Sequence, residues 1–282
     1  MRFLRRSNGS AKKVWPGTDM ELLSLLYGTL LLRPYVFIFL AFYLAIACFH
    51  WGAARSFIFT VIAYLVAFLS EYSSTRNGFP YGFYSYIENT RNQELWISNV
   101  PFMDSLSFAF LSYISLTLAL AFLSPLKGKG WDIRIERNVA LERSLSTIFL
   151  SAFLFMMLDV IIDPVAFLGD RWFLGKIYTY KEQGEYFHIP LTNFAGWFIV
   201  GSSILLCWTG IDRLLDGKLK RPTKDYFAQA LWGPALYFGV LLFNLAVTAY
   251  IGEYVLALCG IAISSISAGA LIIKIKKFNE SG

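Results

Sequence analysis

Four carboxyl groups of this 282-residue chain could do acid–base work from inside an apolar setting, Glu71, Asp104, Asp159 and Asp163, with the amide of Asn193 as a fifth polar group. An ionisable side chain at membrane depth costs several kcal/mol and marks a functional site by default. Glu71 ends one apolar run, and Asp104 lies about one turn inside the next. Asp159 and Asp163 close a third, and Asn193 opens a fourth. If successive runs alternate in direction, all five share one end of the bundle. Asp159 and Asp163 are four apart and so share one helix face, with Pro164 expected to stop the helix. Two carboxyl groups that close in a low dielectric do not both ionise. The deeper Asp159 then suits a proton donor and the shallower Asp163 a charged partner. Two readings stay open: a shared acid pocket, or separate helix-end carboxylates in the headgroup layer, solvated or paired with Arg76, Arg91 or Arg171.

Two loops at that same end carry unusual aromatic density. Residues 77–86 alternate turn-forming glycines (Gly78, Gly82) with Tyr81, Phe83, Tyr84 and Tyr86. Residues 168–192 hold Trp172, Tyr178, Tyr180, Tyr186, Phe187, His188 and Pro190. An interfacial belt of Trp and Tyr accounts for part of this. Glycines threaded among rings point instead to a folded lid whose ring faces shelter a cation. Tyr81, Tyr84, Trp172, Tyr186, Asn193 and Asp104 are therefore candidate substrate contacts beside the candidate catalytic groups Asp159, Asp163 and Glu71. His188 reads as structural, and His50, beside Trp51, as a buried hydrogen-bonding residue.

The elements that must position these groups follow from composition. The chain is 56% hydrophobic and 16% charged, with a mean hydropathy of +0.53. Soluble domains carry about 25% charged residues, so lipid is the solvent for much of this surface. The expected architecture is all-α: a polytopic integral membrane helix bundle of seven to eight membrane-embedded helices, forming one transmembrane domain over 20–282. Spans are expected at about 35–51, 55–71, 99–124, 144–163, 193–210, 227–249 and 253–273, with 21–32 as a short eighth. The segment 1–19 is a basic arm without the apolar core of a cleavable signal peptide.

Basic residues concentrate in 125–143, 211–225 and the tail after 273. That bias predicts a cytoplasmic C-terminus in the plasma (inner) membrane. Seven spans would then put the basic arm outside, against the same bias, and counting 21–32 as an eighth span returns it to the cytoplasmic side. The net charge of +6 sits in these short loops, so nucleic acid is not an expected partner. Cys48, Cys207 and Cys259 are dispersed within apolar runs, which argues against zinc and against a disulfide framework. Two histidines are too few for a multi-histidine iron site, and no metal or other cofactor is expected.

Three stretches resemble the membrane-bound carotenoid 1,2-hydratases within the broader carotenoid biosynthesis protein family. They are Glu71 with Gly78-Phe79-Pro80-Tyr81-Gly82 and Tyr84; Asp159-x-x-x-Asp163-Pro164-Val165-Ala166 with Trp172 beyond; and Tyr186-Phe187-His188-Ile189-Pro190 running into Asn193-Phe194-Ala195-Gly196-Trp197. The likeness covers roughly residues 60–210 and adds Trp197 to the candidate substrate contacts. It departs at His188, where the family pattern has glycine, which is expected to alter the turn before Ile189-Pro190. Asp104 is not a position of the pattern. The resemblance implies cofactor-independent addition of water across the terminal isopropylidene double bond of a long polyene. Lipid, the polyene, water and other carotenoid-pathway enzymes are the partners it implies. Two alternatives stay open: another isoprenoid end-group enzyme (a cyclase or isomerase), and a non-catalytic transporter or scaffold. A transporter should place polar groups near mid-bilayer, and this chain gathers its acids at one end.

Overall fold

The computed structural model describes residues 19–281, so the basic arm, apart from Asp19, lies outside the described residues. The chain is 71% helical. Its helices are α1 (Asp19–Leu32), α2 (Pro34–Trp51), α3 (Ala53–Asn77), α4 (Phe102–Leu123), α5 (Val139–Glu142), α6 (Leu145–Phe167), α7 (Leu191–Leu214), α8 (Gln229–Tyr250) and α9 (Tyr254–Ser281). Seven of them, all but α1 and α5, are long and apolar enough to cross a membrane. This is a multi-pass membrane protein. The 14 residues of α1 reach about 21 Å at 1.5 Å per residue, short of a hydrocarbon core of roughly 30 Å. The eighth segment is thus a helix too short to span.

The breaks between helices follow from local chemistry. Arg33 leaves helical geometry between α1 and α2, and Pro34 takes the first position of α2, where its missing N–H costs nothing. Gly52, at φ +88°, turns the chain directly from α2 into α3, and Gly78 caps α3 in the left-handed conformation. Ser144 caps α6 by accepting from the Thr147 N–H at 3.2 Å.

Pro164 does not stop α6, contrary to expectation; the helix continues to Phe167. A proline this near a C-terminus removes one backbone donor and leaves little helix beyond it to disturb. One of the terminal carbonyls, that of Val165, is satisfied by the Trp172 indole N–H at 3.0 Å.

Central α4 packs against α2, α3, α6 and α8, and most of its length is buried. The outer faces of the other spans carry exposed Phe57, Leu65, Phe153, Leu242 and Ile266, as a lipid-facing surface requires.

The connecting segments hold short strands that the helical reading did not anticipate: β1 (Tyr84–Tyr86), β2 (Trp96–Ile97), β3 (Val100–Pro101), β4 (Leu126–Lys129), β5 (Asp132–Ile135) and β6 (Tyr178–Tyr180). β2–β3 and β4–β5 are local antiparallel pairs. β1 pairs antiparallel with β6, Tyr84 opposite Tyr180 and Tyr86 opposite Tyr178, so the two aromatic loops form one structure. Buried Arg33 fastens the start of α2 to both loops. It bonds Glu94 at 3.0 Å, with 1% and 0% of the two side chains exposed, and it donates to the Leu174 carbonyl.

At the opposite end of the bundle, Asp212 at the end of α7 is enclosed by three guanidinium groups. Arg55 and Arg221 pair with it directly, and Arg143 Nε reaches it at 2.8 Å. Arg143 also bonds Asp216, Arg221 pairs with Glu142 at 2.8 Å, and the Trp51 indole donates to Glu142 at 2.6 Å. His50 Nδ1 lies 3.3 Å from the Tyr113 hydroxyl, the hydrogen-bonding role expected for it.

Candidate active site

Glu71 lies six residues before the end of α3, Asp104 lies in the first turn of α4, Asp159 and Asp163 lie on one face of α6, and Asn193 lies in the first turn of α7. Because these spans alternate in direction, all five side chains converge on one cavity of about 120 Å³. The four carboxyl groups share that lining with no basic side chain. The arginines of the alternative reading are engaged elsewhere: Arg76 on Asn99, Arg91 on Glu88 and Arg171 on Glu253.

The hydrogen bonds differentiate the carboxyl groups. The Asn193 amide bridges the aspartates, donating to Asp159 Oδ2 at 2.7 Å and to Asp163 Oδ2 at 3.0 Å. Asp163 also accepts from the Tyr178 hydroxyl, and from Tyr180 at 3.0 Å. Its oxygens are saturated with donors, an arrangement suited to an anion. Asp159 is 1% exposed, and its Oδ1 has no hydrogen-bond partner in the protein. Glu71, 4% exposed, accepts from Tyr86 at 3.0 Å and from Ser105.

Aromatic rings close the cavity. Trp197 stacks on Phe108 with centroids 4.5 Å apart and an interplanar angle of 16°, and its ring lies 4.7 Å from Phe155 and 6.2 Å from Tyr81. Tyr84 packs edge-on against Tyr86 at 5.3 Å and against Tyr178 and Tyr180 across the β1–β6 ladder at about 6 Å. Burial, and after it the nearby carboxyl groups, push the phenols of Tyr84, Tyr86, Tyr178 and Tyr180 well above their ordinary range. These hydroxyls therefore remain protonated donors throughout the physiological range.

Of the residues singled out in the sequence, Glu71, Asp104, Asp159, Asp163, Tyr81, Tyr84, Asn193 and Trp197 line the cavity together. Trp172 and Tyr186 do not. Trp172 bonds α6 and packs against Tyr35 and Phe243, whereas Tyr186 packs on Phe187 and Phe194. Motif membership did not separate these rings from the lining ones, because loop residues can face either side of the lid.

Tyr86, Ser105, Tyr178 and Tyr180, which hold the carboxyl groups, were not singled out. The i, i+2 spacing of Tyr84/Tyr86 and Tyr178/Tyr180 was the available signal, since it places both rings of each pair on one face of a strand. His188 takes the left-handed conformation that glycine favours, at φ +71°, and its turn closes with Tyr186 and Ile189 paired. The side chain contacts Gln183 and stacks on Phe167. Histidine thus holds a left-handed position here, with the cost of a positive φ set against these contacts.

Among the described residues, no cluster of three or more His, Cys, Asp or Glu side chains is arranged to hold a metal ion. No curated protein and no solved structure matches the chain. A sequence profile described as carotenoid biosynthesis protein matches residues 32–266, which include Arg33, the three helices that carry the acids and the helix that carries Asn193. With that match over most of its length, a cavity of carboxyl groups walled by aromatic rings and a bundle built for lipid, the chain belongs to the carotenoid biosynthesis protein family.

Proposed function

We propose that the protein is a polyene end-group hydratase, working without a cofactor within a single transmembrane domain of the plasma membrane, its C-terminus cytoplasmic. The observation that carries this reading is the unequal pair beneath the lid. Asp163 is held by three donors, while Asp159, a turn deeper, keeps one oxygen free of any protein donor.

In the reaction, Asp159 delivers a proton to the less substituted carbon of a terminal isopropylidene double bond. The π pair forms the new C–H bond, and a tertiary cation remains at the neighbouring carbon. Ring faces of Trp197, Phe108 and Tyr84 stabilise that cation, and the Asp163 carboxylate lowers the cost of its charge. A water held by Asp163 or Glu71 adds to the cation and passes its proton to one of these carboxylates. Exchange with solvent resets Asp159. The net change is one water added, with no oxidant or reductant consumed. A cyclase would share the first step and differ in the capture of the cation.

Pigment analysis tests the reading. Expressed in a bacterium that accumulates lycopene, the protein should yield a tertiary alcohol heavier by one water. A product isomeric with lycopene would move the assignment to a cyclase or isomerase.

Closure of the lid has its own test. A Cβ at Gly196 would come within 2.7 Å of the Pro80 carbonyl oxygen and of the Tyr81 ring, so Gly196→Ala must push the first loop off α7. Misplacement by about 1 Å costs on the order of 10²-fold in rate. Product formation should fall by about that factor with membrane levels unchanged; an unaltered rate would show that the loop is not part of the site.

A further inference from the structure

Trp172 lines no part of the carboxyl cavity, and what it does line suggests how a substrate arrives. Beside the carboxyl cavity lies a second, mainly apolar space of about 100 Å³, and the two share Asp104, Ser107, Leu111, Ile162, Ala166 and Ile177 as common walls. The far side of that space is formed by Tyr35, Trp172 and Phe243. The same Trp172 and Phe243 form the inner wall of a third, open depression of about 620 Å³, between the segment 170–173 and the last two turns of α8. Three spaces therefore stand in series and are separated by a few side chains.

The partition is aromatic. Tyr35 stacks on Phe243 with centroids 5.3 Å apart, and Trp172 lies 6.4 Å from each. Ring contacts of this kind are weak individually, about 0.5–1.5 kcal/mol each, and Phe243 and Trp172 are only partly buried. The depression outside them is polar at its rim, where Asp170 and Arg171 lie, and apolar at its floor, where Ala246 and Val247 lie. Phe243 is seven residues before the end of α8, about 10 Å along the axis, and the floor residues Ala246 and Val247 lie between it and that end.

We propose that Tyr35, Trp172 and Phe243 form a lateral gate through which the end of a polyene passes from the lipid, over Ala246, into the carboxyl cavity. The substrate class rests on the proposed function; the passage rests on the shared walls. Only the end group needs to enter. The remainder of the chain stays in the depression and in the bilayer, which dissolves it.

The experiment uses the purified full chain in nanodiscs containing lycopene, in an Asp159→Asn background so that nothing is turned over. Position 246, or as a control position 69, carries p-benzoylphenylalanine, and irradiation is followed by mass analysis of adducts. Leu69 is on α3, 63% exposed on its lipid-facing side, and lines none of the three spaces. Polyene adducts should be at least tenfold more abundant at 246 than at 69. Equal yields, or phospholipid acyl adducts alone at 246, would overturn the gate and make the depression a lipid-filled crevice. In the active protein, Ala246→Trp should slow conversion of lycopene at least tenfold and Leu69→Trp should not. Adducts at 246 without any hydrated product would leave the gate standing and remove the hydratase reading. Hydrated product without enrichment at 246 would do the reverse.

Discussion

Asp159→Asn, inserted at wild-type levels, should lose hydration by about 10²–10⁴-fold, the usual worth of a positioned general acid. The amide keeps the shape of the carboxyl group, and an oxygen can still accept from Asn193. What disappears is the acidic proton at the end that no protein donor occupies. Asp163→Asn should be milder in proton delivery. It also breaks the donor arrangement of Tyr178, Tyr180 and Asn193, however, since the amide nitrogen that replaces one oxygen would face either Tyr178 or the pair Tyr180 and Asn193, all of which donate in the native site. Glu71→Gln is the third arm. Its carboxyl group belongs to a separate cluster with Tyr86 and Ser105, so its loss should report on water rather than on protonation. Conversion by the three variants, assayed side by side with lycopene as substrate, separates the roles. Near-normal product from Asp159→Asn would sink the assignment, and a dead Glu71→Gln would transfer the donor to α3. If Asp159→Asn and Asp163→Asn are equally dead, the aspartates act as one titrating unit joined through Asn193.

The second large effect is on stability and lies at the far end of the bundle. Asp212→Asn leaves Arg55, Arg143 and Arg221 facing one another around a neutral amide, with Arg55 2% exposed. Removing one partner of a buried charge pair typically costs about 3–5 kcal/mol. Thermal unfolding in detergent should shift down by several degrees, and the shift should exceed that of Asp216→Asn, whose side chain is 52% exposed. Because the network is remote from the carboxyl cavity, the fraction that remains folded should convert substrate normally. Equal thermal shifts for the two variants would show that burial does not set the worth of this cluster.

That cluster also shows what a sequence can and cannot reveal. Arg143 and Arg221 counted toward the topology bias as free loop charges, but the fold pairs both with Asp212, Asp216 and Glu142. Such pairing is invisible without knowledge of which helix ends meet. The convergence of Glu71, Asp104, Asp159, Asp163 and Asn193 was legible, because alternating spans fix which ends coincide whatever the packing. The bundle was legible for the same reason: hydrophobic runs of this length have few alternatives in lipid. The fate of individual loop rings was not. Tyr178 and Tyr180 became carboxylate donors because a two-stranded ladder set their register, while Trp172 and Tyr186, equally prominent in the motifs, were turned elsewhere. Pro164 misled because a proline's effect on a helix depends on how much helix follows it.

The β1–β6 ladder joins residues 84–86 to residues 178–180, and this sets an order of assembly during synthesis. When α3 and α4 have left the ribosome and entered the bilayer, the first aromatic loop has no partner strand and Glu71 has only Asp104 for an acidic neighbour. Asp159 and Asp163 arrive with α6, their bridging amide with α7, and the strand that closes the lid lies between those two helices. A nascent chain therefore carries Glu71 and Asp104 uncovered until more than half of it has been made, and the cavity is complete only when α7 has joined.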